Sequence, residues 1–427
     1  MLESHLMAKR KTGCWSRRWL GNVRAACLTS TLIAGLCSGQ VPRAADFALS
    51  SSPSANTTTA SLEYQETDYS VVNWSVSLTT QTIPFKKEPV AVSGKIVRGI
   101  LNFGGDASNS MAFVWQRDAG KLFLDLNRNQ DLTDDPAGVF SSRAAKPVNY
   151  QTFTNVHLPL NTTAGKGQVL ADINFSDYGS RPNCSLAVRS FWQGKVTLQG
   201  RDWQVGIVQK IIVQNNLKQI SPFENGQLLL RPWEKRSQPF NTYDGSFAAV
   251  PFSRKLFVDG HAYQLNPVAS LQNGATKLAL QFSEQSVALG ELKITGKFIQ
   301  RLILPGGPYL VVLDQPAGIV RIPTGSYNQP NVRLEQNGTG AFCNSGQPQA
   351  GRRIAVNDKT PAVLNVGGPL TNSVNASRHG QDLRLDYRLV GAGGETYQLA
   401  NQNRSQPPEF AIYKNDKKIA SGKFEFG

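Results

Sequence analysis

The 427 residues carry 45 Lys and Arg against 30 Asp and Glu, a formal net charge of +15, with four histidines and five cysteines. The basic residues fall in isolated pairs such as Lys86-Lys87, Arg352-Arg353 and Lys417-Lys418. They lack the concentrated patch and interleaved aromatics that a nucleic-acid surface requires, so nucleic acid is excluded as a partner. Two readings of the charge stay open: a mildly basic face for anionic polysaccharide or phospholipid headgroups, and dispersed surface charge.

Residues 1–45 read as a cleaved signal peptide. Lys9, Arg10, Lys11, Arg17, Arg18 and Arg24 precede an apolar core from Ala25 to Cys37, which falls short of the ~20 residues that span a bilayer. An uncleaved short anchor is the alternative. Small residues permit cleavage before Gln40 or after Ala45, and Leu36 ahead of Cys37 argues against a lipoprotein anchor. The expectation is export to the periplasm, cell surface or extracellular space, with no transmembrane segment in the mature chain. Cleavage takes away seven Lys/Arg and one Glu, lowering the formal charge from +15 to +9, and removes Cys14, Cys27 and Cys37. Cys184 and Cys343 remain in an oxidising compartment, either as a disulfide or as two buried free thiols. Neither has a local catalytic signature, and only His157, His261 and His379 remain beside them.

Residues 46–62 (FALSSSPSANTTTA within them) have no apolar period and read as a disordered Ser/Thr-rich linker. Residues 63–230 then change to short β-branched and aromatic runs, among them KIVRGILNF, MAFVWQ, KLFLDL and WQVGIVQKIIVQ, separated by Gly, Asn, Asp or Pro. Such spacing predicts a sandwich or barrel. Residues 231–349 read as a second β-sandwich, with Asp259-Gly260 between two apolar runs as a hairpin turn. Residues 350–427 form a third β segment with alternation at Leu383, Leu385, Tyr387 and Leu389 and a turn at Asn415-Asp416. The chain is therefore expected to be all-β, with two or three sandwich-like domains. Residues 316–327 (PAGIVRIPTGSY) resemble the last strands of prealbumin-like sandwiches, and the third segment resembles an immunoglobulin-like sandwich without its internal cysteine pair. Both resemblances bear on fold alone.

The one stretch with recognisable chemistry is DLNRNQDLTDD, residues 125–135. Asp125, Asn127 and Asn129 place side-chain oxygens at alternate positions, Asp131 offers a backbone carbonyl, and Asp134 and Asp135 supply carboxylates at the end. A hard cation wrapped by one tight loop needs this pattern. The segment resembles the loops of EF-hand and dockerin-type calcium sites, which implies calcium as a structural ion and Leu132 as the apolar pin to the core. Three positions depart from those families. Gln130 stands where a left-handed glycine is usual, at a cost of ~1 kcal/mol or more. Pro136 replaces the bidentate acid, and a strand-like run replaces the flanking helix. A bare Asx-rich turn is the alternative reading.

No GxSxG, HExxH, CxxC or phosphate loop is present. Thr163 to Lys166 matches a Ser/Thr-x-x-Lys spacing and reads as a turn. A carboxylate pair from among Asp177, Glu224, Asp244 and Asp259 would make a polysaccharide hydrolase. A binding face would use Trp192, Trp203, Trp233 or Tyr243, each otherwise a core residue. RPWEKRSQPFNTYDGS, residues 231–246, is expected to be exposed. The preferred expectation is a non-enzymatic exported protein, a structural or binding component with polysaccharide or another envelope polymer as partner. The alternative is the hydrolase.

Overall fold

The computed structural model describes residues 56–80, 82, 84–90, 94–104, 107–142, 149–163, 165–179, 181–209, 223, 226–272, 275–316, 318–344, 353–380, 382–400, 407–414 and 416–424. The chain divides into two units, Met1–Ser51 and Ser52–Gly427, and every described residue belongs to the second. The expected leader and its three cysteines therefore lie outside the described residues. The fold is all-β with several sheets. Three single-turn 3-10 helices interrupt the strands, and the described residues contain no α-helix. This follows from a sequence in which no stretch holds a 3.6-residue apolar period over a dozen positions.

Two meanders make an eight-stranded antiparallel sheet. One runs from Val72–Thr80 to Val139–Ser141, the other from Tyr150–Thr162 to Asn183–Val188, and they join where Val72–Val76 pairs with Cys184–Val188. Two-residue alternation drives the burial: Val72, Trp74 and Val76 face the core while Asn73, Ser75 and Ser77 face out. In Tyr150–Thr162 the phase is reset by a bulge between Phe153 and Val156, with Asn155 at φ 59°, so that both apolar residues point inward. Phe175 lies at the middle of this core, its ring 5.0 Å from Phe113 and 5.1 Å from Trp115. The Trp115 indole donates to Gln151 Oε1 at 2.7 Å, and Gln151 Nε2 donates to Arg117 O at 2.8 Å, so the polar atoms of Trp115 and Gln151 are satisfied.

A fifteen-stranded sheet runs from Ala249–Pro251 at one edge to Thr371–His379 at the other. Thr57–Glu66 divides its pairing, Thr57–Leu62 against Leu278–Ser283 and Glu63–Glu66 against Ser190–Gln193. Residues 57–62 thus correct the expected disordered linker, whose residues 46–55 lie outside the described residues. Ala60 and Leu62 are buried. The small polar side chains around them hide the alternation, and the strand paired with Thr57–Leu62 supplies the hydrogen bonds. The expected hairpin closes at Val258 and His261, with Asp259 (φ 52°) and Gly260 (φ 82°) both in the left-handed region that a type I′ turn requires. Gln227–Pro232 straddles the expected boundary at 230/231, and Ala341–Phe342 pairs with Gln398–Leu399 across that at 349/350. Hydrogen bonding therefore runs through both.

This long sheet curves around a second core containing Leu62, Trp203, Leu230, Leu265, Leu280 and Ile303. Curvature brings Ile299–Leu304 against Gln227–Pro232, although seven strands separate them in the sheet order, and Arg301 Nη2 donates across the seam to Leu230 O at 2.7 Å. A third core lies under the sheet of Leu289–Ile294, Ile319–Pro323 and Ala362–Leu364. There Tyr327 is fully buried and its hydroxyl donates to Pro323 O at 2.6 Å, the corner device of sandwich folds. Towards the C-terminus Asp382–Val390 is a strand, as its alternation predicts; Leu385, Tyr387 and Leu389 are half-buried, whereas Leu383 on the same face, next to the hairpin turn, is 52% exposed.

Candidate metal loop and the other predicted residues

The DLNRNQDLTDD loop leaves the strand Lys121–Leu124 and ends at the 3-10 turn Pro136–Gly138. Asp125 continues the ladder, its N–H donating to Ala112 O at 3.0 Å, and its side chain is buried. Its carboxylate accepts two loop N–H groups, Asn129 at 3.0 Å on Oδ1 and Gln130 at 2.9 Å on Oδ2. The motif then repeats every second residue. Asn127 Oδ1 accepts from Asn129 N (3.0 Å), Asn129 Oδ1 from Asp131 N (2.6 Å), and Asp131 Oδ1 from Thr133 N (2.9 Å). Alternate side-chain oxygens are therefore held against the loop backbone along one turn of chain. Arg128 (φ 62°) and Gln130 (φ 67°) take the left-handed conformation that the path demands. Gln130 does so without being glycine, as the loop resemblance requires of that position.

Leu132 packs with Phe85, Ala112 and Val114, so the loop is pinned to the sheet at the expected residue. A strap at residues 85–87 completes the hold: Leu132 N donates to Lys87 O at 3.1 Å, and Lys87 Nζ lies 3.8 Å from Asp131 Oδ2. The hydrogen bonds from Thr133, with Lys87 assisting, pull the Asp131 carboxyl below its ordinary range. Asp134 accepts from the amides of Asn127 (3.1 Å) and Asn129 (2.6 Å). Asp135 accepts from Asn127 N at 3.3 Å, and burial followed by the charges of Asp134 and Asp125 pushes its carboxyl upward. Arg128, which the sequence reading passed over, donates to Pro159 O at 2.5 Å, and its charge favourably faces Asp125.

In residue type the loop carries the oxygen donors that a calcium-sized cation takes. The closing position does not yet fit, because Asp134 is bonded to amide N–H groups rather than converging with the other acids. Among the described residues no group of three or more His, Cys, Asp or Glu side chains is arranged to hold a metal ion. That geometry is also what an Asx-turn loop closed by its own amides would have.

Cys184 and Cys343 are free thiols, both buried, in two different hydrophobic cores, so the disulfide clamp considered from sequence is not formed. Inward-facing strand positions, on Asn183–Val188 and Thr339–Cys343, carry each into its own core. Burial pushes both thiols upward, with Glu395 adding to Cys343, which reaches about 11. Such thiols are poor nucleophiles.

The acids considered for hydrolysis are engaged separately. Asp177 accepts from Arg117 at 2.7 Å, Asp244 caps the N–H groups of Asn241 (3.0 Å) and Ser246 (2.7 Å), and Asp259 lies 3.7 Å from Arg201 in its hairpin. Glu224 lies outside the described residues. Thr163 sits in the turn of a hairpin in which Thr162 pairs with Gly165. Of the aromatics, Trp203 is core, Trp192 is half-buried edge-on to Tyr64, and Tyr243 is 53% exposed. Trp233 is half-buried, with Lys195 at 5.4 Å and Arg236 at 4.9 Å from its ring centre. Residues 231–246 are less exposed than expected: Arg231 is buried because the strand continues to Pro232, and Phe240 because its ring packs against Phe191 and Tyr69.

No known family model matches the chain, and no curated protein or solved structure is significantly similar to it.

Proposed function

We propose that this is an exported, non-enzymatic β protein of the cell envelope or extracellular space, a structural or polymer-binding component whose Asp125–Asp135 loop takes a structural calcium ion. The observation that carries the proposal is the loop itself. Asp125, Asn127, Asn129 and Asp131 engage loop N–H groups with their side-chain oxygens at alternate positions around a left-handed Gln130, and Leu132 fixes the loop to a sheet. With the ion bound, Asp125, Asn127 and Asn129 would hold it by side chains and Asp131 by its carbonyl, with Asp134 or Asp135 closing the site. The ion would supply the positive charge that the acids at 125, 131, 134 and 135 lack beyond Arg128 and Lys87. Its contribution is stiffness, since nothing in the loop resembles a substrate-side acid and base.

Binding is favoured over hydrolysis because the described acids considered for catalysis serve separate turns and ion pairs. Thermal unfolding of the mature chain with calcium and with chelator tests the calcium half. Saturation at about 100 times Kd adds about 2.7 kcal/mol, which raises the midpoint of a unit of this size by roughly 3 °C. An unchanged midpoint would count against the ion. A glycan-binding screen of the same protein tests the polymer half.

A further inference from the structure

A cavity of about 270 Å³ opens at the seam where Ile299–Leu304 meets Gln227–Pro232. Arg201, Arg231, Arg301, Arg333 and Lys235 line it, against the carboxylates Asp314, Glu234 and Glu335. The charges are not mixed evenly. Arg231 and Arg301 are 4% and 5% exposed, whereas Glu234 and Glu335 are exposed and form no ion pair with the arginines among the described residues.

Only Arg301 of the two buried guanidinium groups has a carboxylate partner, with Nε 3.3 Å from Asp314 Oδ1. Arg231 donates to Gln204 Oε1 (2.6 Å), Gln238 O (2.9 Å) and Arg236 O (2.8 Å), all neutral acceptors. Arg333 and Arg201 are half-buried: Arg333 has one long bond, to Gly245 O at 3.4 Å, and Arg201 stacks 4.6 Å from the Trp203 ring centre with Asp259 3.7 Å away. Burial is the main cause that lowers the affinity of Arg231 and Arg301 for their protons; Tyr69 and Asp244 offset it at Arg231 and Asp314 at Arg301, while Arg301 repels Arg231 and Arg201 repels Arg301. A desolvated guanidinium without a paired carboxylate, as Arg231 is, is costly, and with Arg301, Arg201 and Arg333 lining the same cavity the excess positive charge makes a field that an anion would relieve. The planar fork of arginine matches a carboxylate, sulfate or phosphate.

We propose that this cavity is a recognition site for one oxyanion group, carboxylate, sulfate or phosphate, carried by a small ligand or by a unit of an acidic polymer. The proposal goes beyond the calcium reading, since it uses no residue of the Asp125 loop. The size of the cavity admits one such group with the sugar or alcohol that bears it, and not a chain.

Isothermal titration of the mature protein with inorganic phosphate, sulfate, galacturonic acid and polygalacturonate, with galactose as neutral control, tests it. The expected result is saturable binding of at least one oxyanion and none of galactose. Arg201→Gln and Arg333→Gln, at half-buried rather than core positions, should each weaken that binding about tenfold or more. Their thermal midpoints should stay near wild type, which separates loss of the site from loss of the fold. Binding of polygalacturonate but not of the free acids, lost in both variants, supports the proposal and assigns the polymer source. Binding of the free ions assigns the small-ligand source. Absence of saturable binding, or binding that both variants leave unchanged, overturns the proposal and returns the arginines to a purely structural role at the seam.

Discussion

Asp125→Ala removes the acceptor around which the loop is wound. Its carboxylate is buried and satisfies two N–H groups, Asn129 at 3.0 Å and Gln130 at 2.9 Å. A buried donor left without a partner costs about 1–3 kcal/mol, and bonds to charged acceptors lie at the upper end. Water entering the vacated space and the relief of a desolvated charge offset part of that loss. The net expectation is about 2–4 kcal/mol of destabilisation in chelator, where calcium plays no part. Urea titration followed by tryptophan fluorescence reads it directly, since Trp74 and Trp115 are buried in the eight-stranded sheet that the loop caps. A midpoint within the equivalent of about 0.5 kcal/mol of wild type, the range of ordinary surface substitutions, would refute the reasoning. It would mean that the loop is not held by these bonds.

Leu132→Ala should cost about 2–3 kcal/mol by emptying its place among Phe85, Ala112 and Val114, measured by the same titration. Asp135→Asn should raise the calcium-free melting midpoint at pH 7. The sign follows from linkage: its carboxyl is raised in the folded state, so the stability it contributes is present below its unfolded value of about 3.9 and is lost as pH rises through the folded value. The difference from wild type should therefore vanish below about pH 4, and a difference that persists there would contradict the assignment. Disulfide exchange reagent without reductant should find no reactive thiol in the native mature protein and two per chain after denaturation, Cys184 and Cys343. Finding none after denaturation would reinstate the bond.

Much of the architecture is legible in local sequence because period-two burial is written into it. Val72, Trp74 and Val76 alternate visibly, and Asp259-Gly260 names its own turn. The Leu132 pin and the left-handed residue 130 are legible for the same reason, since a tight loop dictates its conformation over a few residues. What was not legible depends on partners far away in sequence. Thr57–Leu62 looks like a tether until Leu278–Ser283, more than two hundred residues on, pairs with it. Arg231 sits in a polar, proline-bounded stretch that reads as surface, and only the curvature of the long sheet buries it beside Arg301. Whether two cysteines 159 positions apart share a core is likewise a question of topology, and the structure places them in different ones.

Equilibrium dialysis of the mature protein against labelled calcium tests the central claim most directly. One ion per chain is expected, with Kd of roughly 10⁻⁴ to 10⁻³ M for an extracellular module, and Asp125→Ala should abolish it. No saturable binding at about 10 mM calcium, roughly ten times the weakest such site, or binding that Asp125→Ala leaves intact, would contradict the account.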